Sequence, residues 1–227
     1  MAAAGSGERL GAGGPKAFVP VAGKPMVEWS IQAFRACDSV RSIVVAAPPG
    51  HRGDLAGDDL AVVAGGETRA DSVASALEAV GTEYVAVHDA ARPLLTPQLV
   101  EVLVADLDTA PEASGVIAAA PVADTIKRAE DAKLRFATSE GAKRSLEVAA
   151  TEDRSSLWAA QTPQVFRTDA LREALAAAEA PQEATDEAML LEWNGGTVLI
   201  HPVAEQNLKV TTPLDLRVAE LLLAERA

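Results

Sequence analysis

The residues best suited to chemistry cluster at the start of the chain, in AAAGSGERLGAGGPKAF from Ala2 to Phe18. Small residues, Ala2 to Ala4, lead into Gly5-Ser6-Gly7, where the backbone can turn sharply and lie close to a ligand. Successive amide N–H groups in such a loop converge on one concavity and favour an anion. Arg9 and Lys16 bring two full positive charges to the same stretch, so the expected ligand is a polyphosphate. Two common phosphate loops are excluded. The P-loop requires Gly-Lys followed by Ser or Thr, and the dinucleotide fingerprint requires Gly where Leu10 stands.

Such a loop needs strands and helices to hold it. Met26 to Cys37 has helical spacing of apolar residues, with Pro25 suited to a first turn. Ser42 to Ala47 is a short Val-rich run closed by Pro48-Pro49, and Ala61 to Ala64 is another closed by Gly65-Gly66. Both predict buried strands. Ala70 to Val80 predicts a helix, Tyr84 to His88 a strand ending at Asp89, and Pro97 to Asp108 a helix capped by Thr96. Gly115 to Ala120 and Thr197 to His201 read as strands. Thr168 to Glu179 and Asp186 to Trp193 read as helices, the latter with Thr185 as N-cap, and Thr212-Pro213 opens a last helix to about Glu225. Ala129 to Glu152 is charged and weakly periodic. Alternation of strands and helices predicts an α/β fold, a largely parallel sheet with helices on both faces. Ligands of such sheets bind beyond the carboxyl ends of the strands. Gly5–Gly7, Gly65-Gly66, Asp89 and Arg92 should meet there.

Composition narrows the partners. The chain has 227 residues and is 48% hydrophobic, which fits one domain with room for an appendage. A net charge of −13 argues against general nucleic-acid or anionic-membrane binding. Arg9, Lys16, Arg92 and Lys209 therefore carry more information than the total. A single cysteine, Cys37, precludes an intramolecular disulfide and a Cys-rich zinc site, and fits a reducing compartment. With neither an apolar run of membrane-spanning length nor a recognisable signal peptide, the expected location is the cytoplasm.

Seven stretches in order, AAAGSGERL with PKAF, GGETRADSV, VHDAARP, APVADTIKR, TPQVF, TDEA and NLKVTTPLDL, resemble the motifs of the 2-C-methyl-D-erythritol 4-phosphate cytidylyltransferases. The resemblance implies a Rossmann-like three-layer nucleotidyltransferase with a small protruding arm at about 122–160. It implies transfer of a cytidylyl group from CTP to methylerythritol phosphate with release of pyrophosphate, assisted by Mg²⁺. On that pattern Arg9 and Lys16 bind the triphosphate and stabilise the transition state, while Ala3, Ala4, Gly5, Ser6 and Gly7 cradle it. Gly65, Gly66 and Ser72 contact cytosine. Asp89 and Arg92 stand beside the ribose and the substrate diol, with Asp89 also a candidate Mg²⁺ contact; the alternative for such an Asp–Arg pair at a strand end is a structural ion pair. Thr125, Arg154, Thr162 and Lys209 hold methylerythritol phosphate, Thr125 and Arg154 from an arm that reaches the other subunit of a homodimer. Trp158 fits the same arm. His88 is expected to pack or hydrogen-bond rather than catalyse, and Thr185-Asp186-Glu187 to start a helix. The alternatives are a ribitol 5-phosphate or other polyol-phosphate cytidylyltransferase and an inactive nucleotide-binding paralogue.

Two departures from the pattern create further expectations. The segment between Thr125 and Arg154 is longer, with extra charge around Ser139 to Val148. The family's apolar strand before the Gly loop has no counterpart ahead of Met1, and Ala2 stands where Pro is usual. A gap is therefore expected between the strands at Ser42–Ala47 and Tyr84–His88.

Overall fold

The computed structural model describes residues 1–5, 14–51, 53, 55, 57–138, 141–204 and 207–226, with the backbone alone over 131–145. Ser6, Gly7, Arg9 and Ser139 thus lie outside what it describes. The short strands β1 (Pro20–Val21) and β2 (Lys24–Pro25) form a hairpin that delivers α1 (Met26–Arg35). Val27, Ile31 and Phe34, spaced by one helical turn, are buried along one face of α1. Strands β3 (Ile43–Ala47) and β4 (Leu60–Ala64) pair in parallel, and β3 is buried at every position. Helix α2 (Arg69–Leu77) starts at a capping box, in which Thr68 and Asp71 each bond the other's backbone amide.

Strand β5 (Tyr84–Val87) precedes α3 (Pro97–Asp108), capped by the Thr96 hydroxyl as expected. Then follow β6 (Gly115–Pro121), β7 (Lys127–Thr138), β8 (Gly141–Thr151) and β9 (Trp158–Arg167). Helices α4 (Thr168–Ala177) and α5 (Glu187–Trp193), strand β10 (Val198–Pro202) and helix α6 (Pro213–Ala224) complete the order. The cap of α5 is Asp186, whose carboxylate accepts from the Met189 amide at 3.0 Å. This corrects the assignment of Thr185 to that position.

Four strands form one sheet in the order β10-β6-β9-β5. β10 runs parallel to β6, while β9 runs antiparallel to both β6 and β5. The sheet is mixed rather than largely parallel: β9 runs against the other three strands, and it has no strand signal in the sequence beyond the TPQVF motif. Strands β7 and β8 form an antiparallel hairpin outside this sheet, within the segment expected to be an arm.

Residues 1–3 link the two sheets. Ala2 forms parallel bridges to Ala46 on one side and to Asp89 on the other. The Ala2 amide donates to His88 O at 2.9 Å and the Ala3 amide to Ala46 O at 3.0 Å. Below this stitch, β3 and β5 are separated by a cavity of about 450 Å³ lined by Met1, Val44, Val73, Leu77, Val85 and Val165, among others. Among the described residues, only the Ala2 bridges join β3 and β5.

Candidate active site

The site grows from the end of β5. His88 is wholly buried. Its ring lies 3.3 Å from the Ser30 hydroxyl, 3.1 Å from the Thr162 hydroxyl and 3.2 Å from Arg92 O. Burial pushes its pKa down to about 3, and the neighbouring Asp89 charge opposes this only in part. The ring is a neutral structural hub, as anticipated. The Asp89 amide donates to Thr162 Oγ1 at 3.1 Å, so Thr162 anchors the backbone of Asp89 from behind.

The Asp89 carboxylate is almost buried and is clasped from two sides. Arg69 Nε donates to Oδ1 at 3.1 Å, and Lys209 Nζ to Oδ2 at 2.6 Å. Burial alone would raise this carboxyl, but the Arg69 and Lys209 charges outweigh it and hold it well below the usual range. Asp89 is thus paired with Arg69 and Lys209, not with Arg92. The Arg92 guanidinium donates to Asn207 O at 2.6 Å, and the Asn207 side chain donates to Thr162 O at 2.6 Å. Together with Val210 N to Ala91 O at 2.8 Å, these bonds fasten the loop that carries Lys209 beneath the end of β5. Arg92 thus fastens this loop, and neither it nor Thr162 is among the described residues that line the cavity.

That cavity, about 350 Å³, is lined by Ala3, Ala4, Gly5, Lys16, Gly66, Arg69, Ser72, Asp89 and Lys209, among others. The Lys16 amide donates to Gly5 O at 3.1 Å, closing the described end of the Gly loop and bringing Lys16 to the cavity wall. Opposite lies a ledge of glycines. A side chain on Gly65 would meet Ala4 Cβ at 2.3 Å, and one on Gly66 would meet Asp71 Cβ at 2.2 Å. The Ser72 hydroxyl donates to Thr68 O and accepts from the Gly66 amide, both at 3.0 Å. It shapes the ledge from beneath.

Thr125 and Arg154 stand apart from this cavity. Both are exposed at the base of the β7–β8 hairpin, where Arg154 Nη1 donates to Ala123 O. Trp158 opens β9 beside them, 37% exposed.

Two residues of the site escaped the sequence reading. Arg69 is the first residue of α2, where a cation is disfavoured by the helix dipole. A basic residue there needs anions nearby, and that signal lay within GGETRADSV. Glu187, in TDEA, is 1% exposed and accepts from Arg69 Nη1 at 2.5 Å.

Strand ends bearing the joined ends of a Gly-rich segment, a glycine ledge and cations around one carboxylate define an α/β nucleotidyltransferase type of site. The family model for 2-C-methyl-D-erythritol 4-phosphate cytidylyltransferase matches residues 1–225, and the chain belongs to that family. A relative of that name from Synechococcus elongatus is 40% identical over 238 residues, covering 99% of this chain and 94% of its own length. Another from Frankia casuarinae is 44% identical, covering 98% of this chain and 79% of its own length. Among solved structures, the enzyme of that name from Thermus thermophilus superimposes with a TM-score of 0.77 at 33% identity, covering 98% of this chain and 97% of that one.

Proposed function

We propose that this protein transfers the cytidylyl group of CTP to 2-C-methyl-D-erythritol 4-phosphate and releases pyrophosphate, a step of isoprenoid precursor synthesis. The observation that carries the reading is the meeting of Lys16 and Lys209, remote in sequence, on one cavity around Asp89.

The chemistry asks little of the protein in proton transfer. A phosphomonoester is largely dianionic near neutrality, with a second pKa of about 6. Its oxygen attacks the α-phosphorus, and the bond to the pyrophosphate oxygen breaks. The barrier lies in bringing anions together and in the charge that develops around phosphorus, so positioned cations do most of the work. Lys16 and Arg9 act on the triphosphate and Lys209 on the attacking phosphate, while Ala3, Ala4, Gly5, Ser6 and Gly7 supply the cradle. The ledge of Gly65 and Gly66, shaped by Ser72, takes the cytosine. Asp89 faces the sugar side.

Mg²⁺ fits this donor set as a cation borne mainly by phosphate and water, because the carboxylates among the described lining residues are only Asp89 and Glu67, and Asp89 is already held by Arg69 and Lys209. When bound, it neutralises charge on the triphosphate and the leaving pyrophosphate.

Thr125 and Arg154 complete the methylerythritol phosphate site of a second subunit in a homodimer. This reading is supported by their separation from their own cavity and by Leu146 and Val148, which are 64% and 59% exposed on the hairpin. No helix among the described residues is long and apolar enough to cross a membrane.

The test is pyrophosphate release by the purified protein. Release is expected to require both CTP and methylerythritol phosphate, with ribitol 5-phosphate a far poorer acceptor. Saturable CTP binding without turnover would instead establish a nucleotide-binding paralogue.

A further inference from the structure

Glu187 touches the site only through another residue. It does not line the cavity, whereas Arg69 does. Its Oε1 accepts from Arg69 Nη1 at 2.5 Å, and its Oε2 has no hydrogen-bond partner among the described residues. A buried carboxylate with one idle oxygen is costly, and an apolar residue of similar volume would pack there more cheaply. Burial raises its carboxyl above the ordinary value, and the Arg69 charge and hydrogen bond draw it partly back.

The carboxylate is rigidly placed. The preceding residue, Asp186, caps α5 and also accepts from Gln164 Nε2 of β9 at 2.8 Å. Arg69 is thereby gripped at two points, by Glu187 at Nη1 and by Asp89 at Nε, which fixes the plane of its guanidinium. Its Nη2 has no protein acceptor among the described residues. Without Glu187 the same guanidinium could pivot about Asp89 or swing onto a ligand phosphate, and Asp89 would turn with it.

We propose that Glu187 is a positioning residue for cytidylyl transfer: it holds Arg69, and through Arg69 it orients the Asp89 carboxylate at the nucleotide cavity. The proposal rests on the reading of Asp89 as a ligand contact.

A double-mutant cycle between Glu187 and Arg69 tests it, with kcat and KM measured for both substrates and Tm measured on the same preparations. Glu187→Gln keeps the volume and one acceptor but removes the charge. It is expected to lower kcat/KM by about 10- to 100-fold, as loss of an outer partner that orients a site residue commonly does, with Tm within a few degrees of the parent. In an Arg69→Ala background the same change is expected to cost almost nothing further, because its effect passes through Arg69. Parent-like kinetics for Glu187→Gln, or an undiminished loss in the Arg69→Ala background, would overturn the proposal. Should Glu187→Gln not fold, Arg69→Lys reads the link from the other end, since an ammonium cannot bridge both carboxylates as the fork does. Parent-like kcat/KM in that variant overturns the proposal equally. Asp89→Asn separates the two levels. Its impairment beside an unimpaired Glu187→Gln sinks this inference alone, whereas its normal turnover sinks the reading of Asp89 and this inference with it.

Discussion

Placing four apolar residues, Val-Val-Ala-Val, ahead of Met1 is expected to raise Tm by roughly 5–15 °C, because the cavity between β3 and β5 has the apolar lining of a strand slot. Ladder alternation sets the first contribution. Odd-numbered residues of β3 bond to β4, and residues 83, 85 and 87 face β9. The even-numbered ones, Val44 and Ala46 on one wall and Ala86 and His88 on the other, turn toward the slot. Val44 O, Ala46 and His88 O are already engaged by residues 1–3. An entering strand would add about four ladder bonds at about 1 kcal/mol each. Side chains set against Val73, Leu77 and Val85 would add about 5 kcal/mol of burial.

The Met1 amino group adds a smaller contribution. It is buried and donates to Val44 O at 2.6 Å, and burial pushes its pKa down to about 6. Between about 6 and its unfolded value near 8 the unfolded chain binds more protons, so the charge destabilises the fold increasingly as pH falls through that window. A peptide N–H makes the same bond without charge, worth about 1 kcal/mol at pH 7. Ordering four residues costs about 6 kcal/mol. The balance is about 3–4 kcal/mol, and a domain of this size gains about 2–4 °C per kcal/mol. Thermal unfolding followed by circular dichroism measures it, with an equally long Asp-Pro-Asp-Gly extension as control. An unchanged Tm with the apolar extension, or an equal rise with the polar one, would refute the strand-slot reasoning.

Three further outcomes are expected. Lys16→Ala and Arg9→Ala should each lower kcat by about 10²–10³-fold, the usual loss on removing one donor to developing charge, with little change in Tm; near-parental turnover in either would remove that residue from the mechanism. Mixing Lys16→Ala chains with Arg154→Ala chains should restore activity that neither has alone, since a hybrid dimer regains one intact site; no recovery after proven subunit exchange would put Arg154 in the site of its own chain. Acidification should destabilise the fold as pH drops from about 6.5 toward 3, because the unfolded chain protonates His88 long before the folded one does, and a His88→Gln variant should show a shallower loss in equilibrium denaturation over that range.

Which parts of the molecule can be read in advance follows from how local each signal is. Helix α3 is legible to the residue because Thr96, Pro97 and the spacing of Val100, Leu103 and Leu107 all lie within one element. The buried run of β3 and the apolar run of β5 are legible for the same reason. Strand β9 is not, since Gln161, Thr162 and Gln164 are buried polar residues whose partners come from elsewhere in the chain. Thr162, for example, faces His88 and the Asp89 amide. The site divides along the same line. Lys16, Asp89 and Lys209 carry motifs, and the structure brings them onto one cavity. The clasp that joins them does not show in any single stretch: Arg69, Asp89, Glu187 and Lys209 come from four separate segments. Read alone, Glu187 is an ordinary first-turn acid, favoured there by the helix dipole. Only its burial against Arg69 reveals a second task. Charge pairs closed by the fold are where a one-dimensional reading gives out, and here they decide which way the central carboxylate points.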